Sequence, residues 1–376
     1  MKSQEIASAE APSALDALFE PAEIAGLSLQ SRIAMAPMSR YLCPDGAPHA
    51  TVADYYARRA ANGVGLIISE GTYISHPSAP SYEGVPYFAG ETTLSGWSDV
   101  VRAVHAAGGL FFPQLWHTGS FRRRGMAPDP DVPGFGPSEN ANAFTGLPDV
   151  THAMTEKEIA EVIGSYAQAA ADAKHMGCDG VEIHGAHGYL IDEFFWAVTN
   201  RRTDRYGGDR RARTRFAVEI VSAMRARVGA YFPISFRFSQ WKQQDYAAKL
   251  ADTPRELADV LEPLRDAGVS LFHCSTRRAW EPGFPDEGAR TLAGWTKLLT
   301  GAPVIAVGSV GLDRPGLRAA EPASVAPVAE AFARGEFDLL AVGRALLADP
   351  EWVRKARDGR FSECAAYTKD LLPTLW

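Results

Sequence analysis

The chain has 376 residues, of which 46% are hydrophobic and 22% charged, and its formal net charge is −7. These values are typical of a globular protein with a large core, and they exclude a disordered or collagen-like chain. The negative charge disfavours nucleic acid and anionic membranes as partners. Length alone predicts two or three domains, although a single barrel of alternating strands and helices can reach about 400 residues.

The four cysteines lie far apart and form no CxxC pair, so the sequence contains no zinc or iron–sulfur motif. We expect free thiols in a reducing cytoplasm. Residues 1–14 read as a loose tail without the apolar run of a signal peptide, and no stretch has transmembrane length. The sequence therefore predicts a soluble cytoplasmic protein, monomeric or homo-oligomeric, that does not bind membranes.

Eight apolar segments of strand length are spaced along the chain. Each is almost continuously hydrophobic, as a parallel strand that is buried on both faces must be. The eight segments lie at 32–38, 64–71, 109–116, 179–184, 233–239, 269–275, 303–309 and 337–343.

Helical patterns separate these segments, for example at 155–177, 210–228 and 253–268. The first opens with a capping box of Thr155 and Glu158. Eight strands that alternate with helices predict a single (β/α)₈ barrel. We assign the barrel to residues 15–360 and a C-terminal tail to 361–376, with extended loops over the C-terminal face of the barrel. An open doubly wound sheet is the alternative, but no GxGxxG follows the first strand.

Polar residues that end barrel strands converge on one pocket. The last two strands end in VGSVG (307–311) and VGRAL (342–346), small-residue turns that suit a phosphate group. The alternative is that these glycines only make tight turns. Arg237 ends the fifth strand without a neighbouring acidic residue in sequence, so a ligand anion is a plausible partner for it.

The fourth strand ends in a cluster that contains His184, His187 and Tyr189. Two imidazoles and a phenol at a barrel mouth are suited to binding a carbonyl oxygen and supplying a proton. A metal pair and two buried core histidines are the alternatives, and no third metal ligand with suitable spacing is present.

Three sequence motifs carry a resemblance to a known family. They are HGAHGYLIDEFFWAVTNRRTDRYGGDRRARTRFAVEIV (184–221), RIAMAPMSRY near the start and DLLAVGRALLADPEW near the end. The chain resembles the Old Yellow Enzyme family of FMN-dependent ene-reductases from about Leu18 to Trp352. The resemblance implies a barrel with one non-covalent FMN, which NAD(P)H reduces and an electron-poor alkene reoxidises.

The resemblance also implies roles for individual residues. The flavin would be bordered by Pro37, Met38, Ser39 and Gly71. Its pyrimidine end would bind Gln114 and Arg237, and its phosphate would bind Gly308, Ser309, Gly343 and Arg344. His184 and His187 match the pair that grips the substrate carbonyl oxygen, and Tyr189 matches the proton donor. Tyr73 and Trp116 are the candidate substrate-lining aromatics.

Several other functions remain open at this stage. Nitrate esters, nitroaromatics or quinones could replace the alkene on the same scaffold. A related amine dehydrogenase or dienoyl-CoA reductase would continue into a cysteine-rich segment. A cofactor-free lyase or isomerase with a phosphorylated substrate would need a lysine or carboxylate at a strand end, and only Glu70 is a candidate. A protein that stores FMN or acts as a scaffold would leave the histidines and Tyr189 without a purpose.

Overall fold

The computed structural model describes residues 14–140, 150–316 and 318–376. The predicted N-terminal tail therefore lies outside the described residues except for Ala14. Within the described part of the chain, no helix has the length and apolar character needed to cross a membrane.

Eight parallel strands close into one barrel, which confirms the predicted (β/α)₈ fold. All neighbouring pairs are parallel, and the last strand pairs with the first. The barrel strands are β1 (Ile33–Met35), β2 (Leu66–Tyr73), β3 (Leu110–Trp116), β4 (Val181–His184), β5 (Ile234–Ser239), β6 (Leu271–Ser275), β7 (Val304–Val307) and β8 (Leu339–Val342).

Helices cover the outside of the barrel. In the described residues they are α1 (Ala50–Ala61), α2 (Glu91–Ala106), α3 (Glu156–His175), α4 (Leu190–Phe195), α5 (Arg215–Val228), α6 (Pro254–Ala267), α7 (Leu292–Thr300), α8 (Ala326–Ala333), α9 (Arg344–Ala348) and α10 (Trp352–Arg357). The predicted capping box at Thr155 is confirmed. The Thr155 side chain accepts a hydrogen bond from the Glu158 backbone amide, and the Glu158 side chain accepts one from the Thr155 backbone amide. The helix predicted from residue 210 begins later, since Ala212–Thr214 form a 3₁₀ turn.

The core has two layers because each strand is buried on both faces. One layer fills the barrel interior with small and large apolar side chains such as Ala34, Phe112 and Ile305. A two-stranded hairpin, Ala22–Ile24 with Leu27–Leu29, packs against this interior. The other layer lies between the strands and the surrounding helices. The opposite, C-terminal ends of the strands are thereby left for polar residues.

Strand register places the predicted site residues side by side. Gly71 of β2 lies opposite Gln114 of β3, and His184 of β4 lies opposite Arg237 of β5. Ser239 and Ser275 are paired at the ends of β5 and β6. Residues far apart in sequence therefore meet on one rim of the barrel.

The C-terminal segment folds back onto this end of the barrel. The guanidinium of Arg40, just after β1, donates hydrogen bonds to the carbonyl oxygens of Leu371, Leu372 and Thr374 at 2.7–3.1 Å. Arg59 of α1 donates to the carbonyl oxygen of Trp376 at 3.0 Å. Two buried cations thus hold the segment against its own barrel.

Candidate active site

The C-terminal ends of the strands open into two adjoining cavities of about 350 and 150 Å³. Both are lined by Pro37, His187, Arg237 and Gln243, so they form one continuous space. The larger part is also lined by Met38, Ser309, Gly343 and Arg344, and the smaller part by Ser39, Gly71, Gln114, Trp116, His184 and Tyr189. The structure therefore brings most of the predicted site residues together.

Two predicted residues do not line this space. Tyr73 is buried behind Trp116, with the two rings stacked at 5.4 Å, and its hydroxyl accepts from the amides of Ser81 and Tyr82. Gly308 packs against the end of β6, where a Cβ would lie 2.7 Å from the Thr276 carbonyl oxygen. Tyr73 supports the wall from behind, and Gly308 lets the turn after β7 approach β6.

A tight turn after β4 brings His184, His187 and Tyr189 together. His187 and Gly188 have φ angles of 64° and 81°, in the left-handed region. Glycine suits position 188 because of this φ angle, and a Cβ there would force the side chain of Gln244, whose oxygen would be 1.7 Å away, to move. The turn leaves the two imidazole rings edge to face at 5.3 Å, with the Tyr189 ring 5.0 Å from His184.

Both imidazoles are held neutral. Burial and the nearby Arg237 charge lower the pKa of His184 to about 3 and that of His187 well below its ordinary value. His187 Nε2 is 2.8 Å from the Ser275 hydroxyl, and its backbone amide donates to the Ser239 hydroxyl at 2.8 Å. Two fixed neutral rings can offer N–H donors to a ligand without a positive charge of their own.

Tyr189 keeps its proton at neutral pH. Burial and the neighbouring Tyr82 raise the pKa of its hydroxyl well above the ordinary value. The amide nitrogen of Gln243 donates to that hydroxyl at 2.9 Å, and Tyr82 makes a side-chain hydrogen bond to it as well. Trp116 packs against the ring edge to face at 4.8 Å. The phenol is therefore held in a fixed position with its proton in place.

A buried carboxylate organises the floor of the site. Glu182 accepts hydrogen bonds from Gln114 Nε2 at 2.9 Å and the Ser235 hydroxyl at 2.9 Å, and it contacts His273 Nδ1 at 2.8 Å. Burial alone would raise the pKa of Glu182, but His273, Arg237 and Ser235 together lower it. The charge of Glu182 in turn compensates the buried Arg237 guanidinium.

Two cations face the cavity with unused donors. Arg237 Nε and Arg344 Nη1 are buried and make no hydrogen bond within the described protein. The Arg344 Nη2 donates to the Arg314 carbonyl oxygen at 2.7 Å, which fixes the direction of the guanidinium. Buried donors of this kind normally have a partner, so a ligand with anionic or carbonyl oxygens fits both positions.

Glu70 is turned away from this chemistry. Its carboxylate accepts from the backbone amide of Arg40 at 2.8 Å, and burial raises its pKa to about 7. It lines neither cavity. Glu70 therefore braces the segment after β1 and is poorly placed to act as a base on a ligand.

Sequence reasoning missed several residues of the site. Gln243 and Tyr82 lie on loops whose sequence carries no periodic signal, and only the fold brings them to Tyr189. Glu182 could have been found, because a carboxylate stands inside the otherwise apolar run of β4. Within the described residues no cluster of side chains suited to a metal ion occurs, including at the two histidines.

The fold and site define a (β/α)₈ barrel whose cavity exposes unpaired donors on two cations beside two neutral imidazoles and a phenol. The sequence model of the NADH:flavin oxidoreductase / NADH oxidase family matches residues 17–363. The chain belongs to this family, which confirms the predicted relationship to Old Yellow Enzyme.

Individual relatives support the same assignment. NADH oxidase from Thermoanaerobacter brockii is 35% identical over 354 residues, which cover 92% of this chain and 51% of that protein. The chain thus spans about half the length of this relative. Putative 12-oxophytodienoate reductase 2 from Oryza sativa subsp. japonica is 34% identical over 94% of this chain and 91% of its own length.

Solved structures give the same result. Morphinone reductase in complex with tetrahydroNAD superposes with a TM-score of 0.79 at 27% identity, covering 96% of this chain and 94% of that one. The Old Yellow Enzyme homologue from Zymomonas mobilis has a TM-score of 0.79 at 26% identity, covering 96% of this chain and 97% of that one.

Family membership implies FMN as the cofactor, and the residues of this site fit it. The unpaired donors on Arg237 and Arg344 lie on a continuous cavity, where they match a carbonyl-bearing ring and a phosphate. Gly71 has no side chain to intrude, and Met38 and Pro37 offer apolar surface.

Proposed function

We propose that the protein is an ene-reductase. It takes reducing equivalents from NAD(P)H and reduces the C=C bond of α,β-unsaturated carbonyl or related electron-poor compounds. The observation that carries this proposal is the convergence of two neutral imidazoles and one protonated phenol on a single cavity beside Arg237.

FMN supplies hydride transfer between the nicotinamide and the substrate when it is bound. Gln114 and Arg237 would hold its pyrimidine end. Its phosphate would lie on the turns after β7 and β8, at Ser309, Gly343 and Arg344, and Gly308 would only shape the first of these turns. Its ring would be bordered by Pro37, Met38, Ser39 and Gly71.

His184 and His187 bind the carbonyl oxygen of the substrate. Reduction of an enone places negative charge on this oxygen, and donors that are already oriented stabilise the charge where it develops. The hydroxyl of Ser275 and the ring of Trp241, stacked on His187 at 4.5 Å, keep the second imidazole in place. Trp116 stacks near His184 at 5.7 Å and narrows the space above it.

Tyr189 delivers the proton. Its hydroxyl retains the proton at neutral pH, and the Gln243 amide stabilises the oxygen once the proton has moved to the substrate α-carbon. Tyr189 and Gln243 both line the smaller cavity, so a substrate bound there can receive the proton from Tyr189.

The second candidate function uses the same residues on a different oxidant. Nitrate esters, nitroaromatics and quinones also carry oxygen atoms that His184 and His187 could bind. A cofactor-free lyase or isomerase is disfavoured, because Glu70 lines neither cavity.

We place the protein in the cytoplasm because its four cysteines are all free and buried.

The decisive experiment is anaerobic mixing of the purified protein. It should be yellow, bleach with NADPH or NADH, and recover its colour with cyclohexenone. A panel of an enone, a nitrate ester, a nitroaromatic and a quinone, compared by kcat/KM, ranks the candidate substrates. A protein that cannot take up FMN, or that is reduced but reoxidised by no enone, contradicts the proposal.

A further inference from the structure

A separate cavity of about 300 Å³ lies between the loops that follow β5 and β6, beside the active site. We propose that it binds the ADP end of the nicotinamide coenzyme, with a coenzyme phosphate next to Arg277. This inference rests on the proposed function and specifies where that coenzyme lies.

The cavity is continuous with the active site. Trp241, Tyr246, Thr276 and Arg277 line both this cavity and the larger active-site cavity. Trp241 stacks on His187 at 4.5 Å, and Tyr246 stacks on Trp241 at 5.3 Å. A row of rings therefore leads from the imidazoles outwards. In the proposed complex, the nicotinamide carboxamide binds those imidazoles and the rest of the coenzyme extends along this row.

The charge of the cavity suits a phosphate. The exposed Arg277 guanidinium lies 5.0 Å from the Tyr246 ring centroid and 5.8 Å from that of Trp241. Within the described residues no carboxylate forms an ion pair with it. The other two cations of the cavity, Arg278 and Lys249, are within 3.6 and 3.8 Å of Glu281 and Asp252. Arg277 is thus a positioned cation whose charge is available to a ligand.

The rest of the cavity suits a purine. Its walls carry apolar surface beside the charged rim, as small-molecule sites that bind an aromatic base do. The apolar wall is formed by Ala247, Ala248, Pro282 and Leu292 together with the two stacked rings.

The phosphate of FMN is the other possible source of an anion, because Arg277 also lines the larger active-site cavity. The test must therefore separate the two phosphates. It compares Arg277→Ala, Arg277→Lys and wild-type holoenzyme. The matched control is Arg290→Ala, since Arg290 is likewise exposed and stacked on a ring, Trp295 at 5.5 Å, but lines neither cavity.

Binding is measured by calorimetry on the oxidised holoenzyme with unreactive tetrahydroNADPH and tetrahydroNADH. The probe without phosphates or adenosine is tetrahydronicotinamide riboside. We expect Arg277→Ala to raise Kd for both dinucleotides about tenfold or more, since a charge-assisted contact is lost. Arg277→Lys should recover most of this loss. In Arg277→Ala, the Kd of the riboside and the Kd of FMN should stay within about twofold of wild type. In Arg290→Ala, every Kd should stay within about twofold of wild type. A change this small means that no charge-assisted contact is lost.

Three results would overturn the proposal. In the first, Arg277→Ala weakens FMN binding and leaves the dinucleotide Kd unchanged, which assigns Arg277 to the flavin phosphate. In the second, neither affinity changes. In the third, binding of the riboside and of the dinucleotide weakens equally. Failure of the proposed function looks different, because the wild-type flavin would then not be reduced by either coenzyme.

Discussion

The side-chain amide of Gln243 donates a hydrogen bond of 2.9 Å to the hydroxyl of Tyr189. Gln243 lies on the loop after β5, whereas Tyr189 immediately precedes α4. Two different loops of the barrel therefore set the position of one phenol hydroxyl. Because the amide nitrogen can only donate, this contact favours the phenol oxygen most when that oxygen carries negative charge.

Replacement of Tyr189 by Phe should slow enone reduction by about a hundredfold or more, because a positioned acid is lost. The rate of flavin reduction by NADPH should change far less, since that step needs no proton at the substrate α-carbon. Stopped-flow absorbance resolves the two half-reactions. Tyr231→Phe is the control, because this ring is 98% exposed and precedes β5, at the opposite end of the strand from the site. Equal slowing of both half-reactions would remove Tyr189 from the role of acid.

Gln243→Leu should show the same pattern with a smaller effect, about tenfold on enone reduction, since only one hydrogen bond to the oxygen is lost. The double variant with Tyr189→Phe should be no slower than Tyr189→Phe alone. An additive loss would show that Gln243 acts on the substrate by another route.

Glu182→Gln should destabilise the protein by about 3–5 kcal/mol, because it leaves the buried Arg237 charge without its carboxylate. Urea unfolding of the apoprotein measures this difference. Glu330→Gln, on the exposed face of α8, should change the free energy of unfolding by no more than about 0.5 kcal/mol. If both variants unfold at the same urea concentration, the proposed compensation of Arg237 is wrong.

Arg344→Ala should weaken FMN binding by about tenfold to a hundredfold, because a charge-assisted contact to phosphate is worth roughly 1.5–3 kcal/mol. Riboflavin supplies a matched control, since it lacks the phosphate and should bind both proteins equally. Fluorescence quenching of each flavin gives the two affinities. An equal loss for riboflavin would place Arg344 at another part of the cofactor.

Gly71→Ala should disturb the wall of the site. A Cβ at Gly71 would lie 2.6 Å from Cε3 of Trp116, which stacks with His184. We expect a loss of about 1–3 kcal/mol of stability from overpacking, measured by urea unfolding. Gly164→Ala on α3 is the opposite case, because open space surrounds that position. It should stabilise the protein by up to about 1 kcal/mol.

Acidification should destabilise the protein through its buried histidines. His184 titrates near pH 3 when folded, whereas an unfolded histidine titrates near 6.5. The unfolded chain therefore binds more protons between these values, so the contribution of His184 to stability is present above pH 6.5 and falls as the pH falls.

The test is urea unfolding from pH 7 to pH 4. His184→Asn should lessen the slope by up to about 1.4 kcal/mol per pH unit, the linkage of one proton. An identical slope in wild type and His184→Asn would show that His184 is not held neutral in the fold.

Much of the fold follows from local sequence. The eight apolar runs are strong signals because strands buried on both faces can tolerate few polar residues, and Thr155 and Gly268 mark helix ends through capping. The hairpin at Ala22–Leu29 and the late start of α5 were not predicted, since short elements depend on the surface that they cover.

The sequence by itself determined the barrel, the family and the rim on which His184, Tyr189, Arg237 and Arg344 stand, because strand order and strand ends are encoded locally. Only the tertiary structure decided which partners hold them. Gln243 hydrogen-bonds to Tyr189, and Ser275 hydrogen-bonds to His187, because different loops and strands pack together. For the same reason Tyr73 is buried behind Trp116. The physical reason is that a hydrogen bond between distant segments depends on the closed barrel, whereas hydrophobic periodicity depends only on near neighbours in the chain.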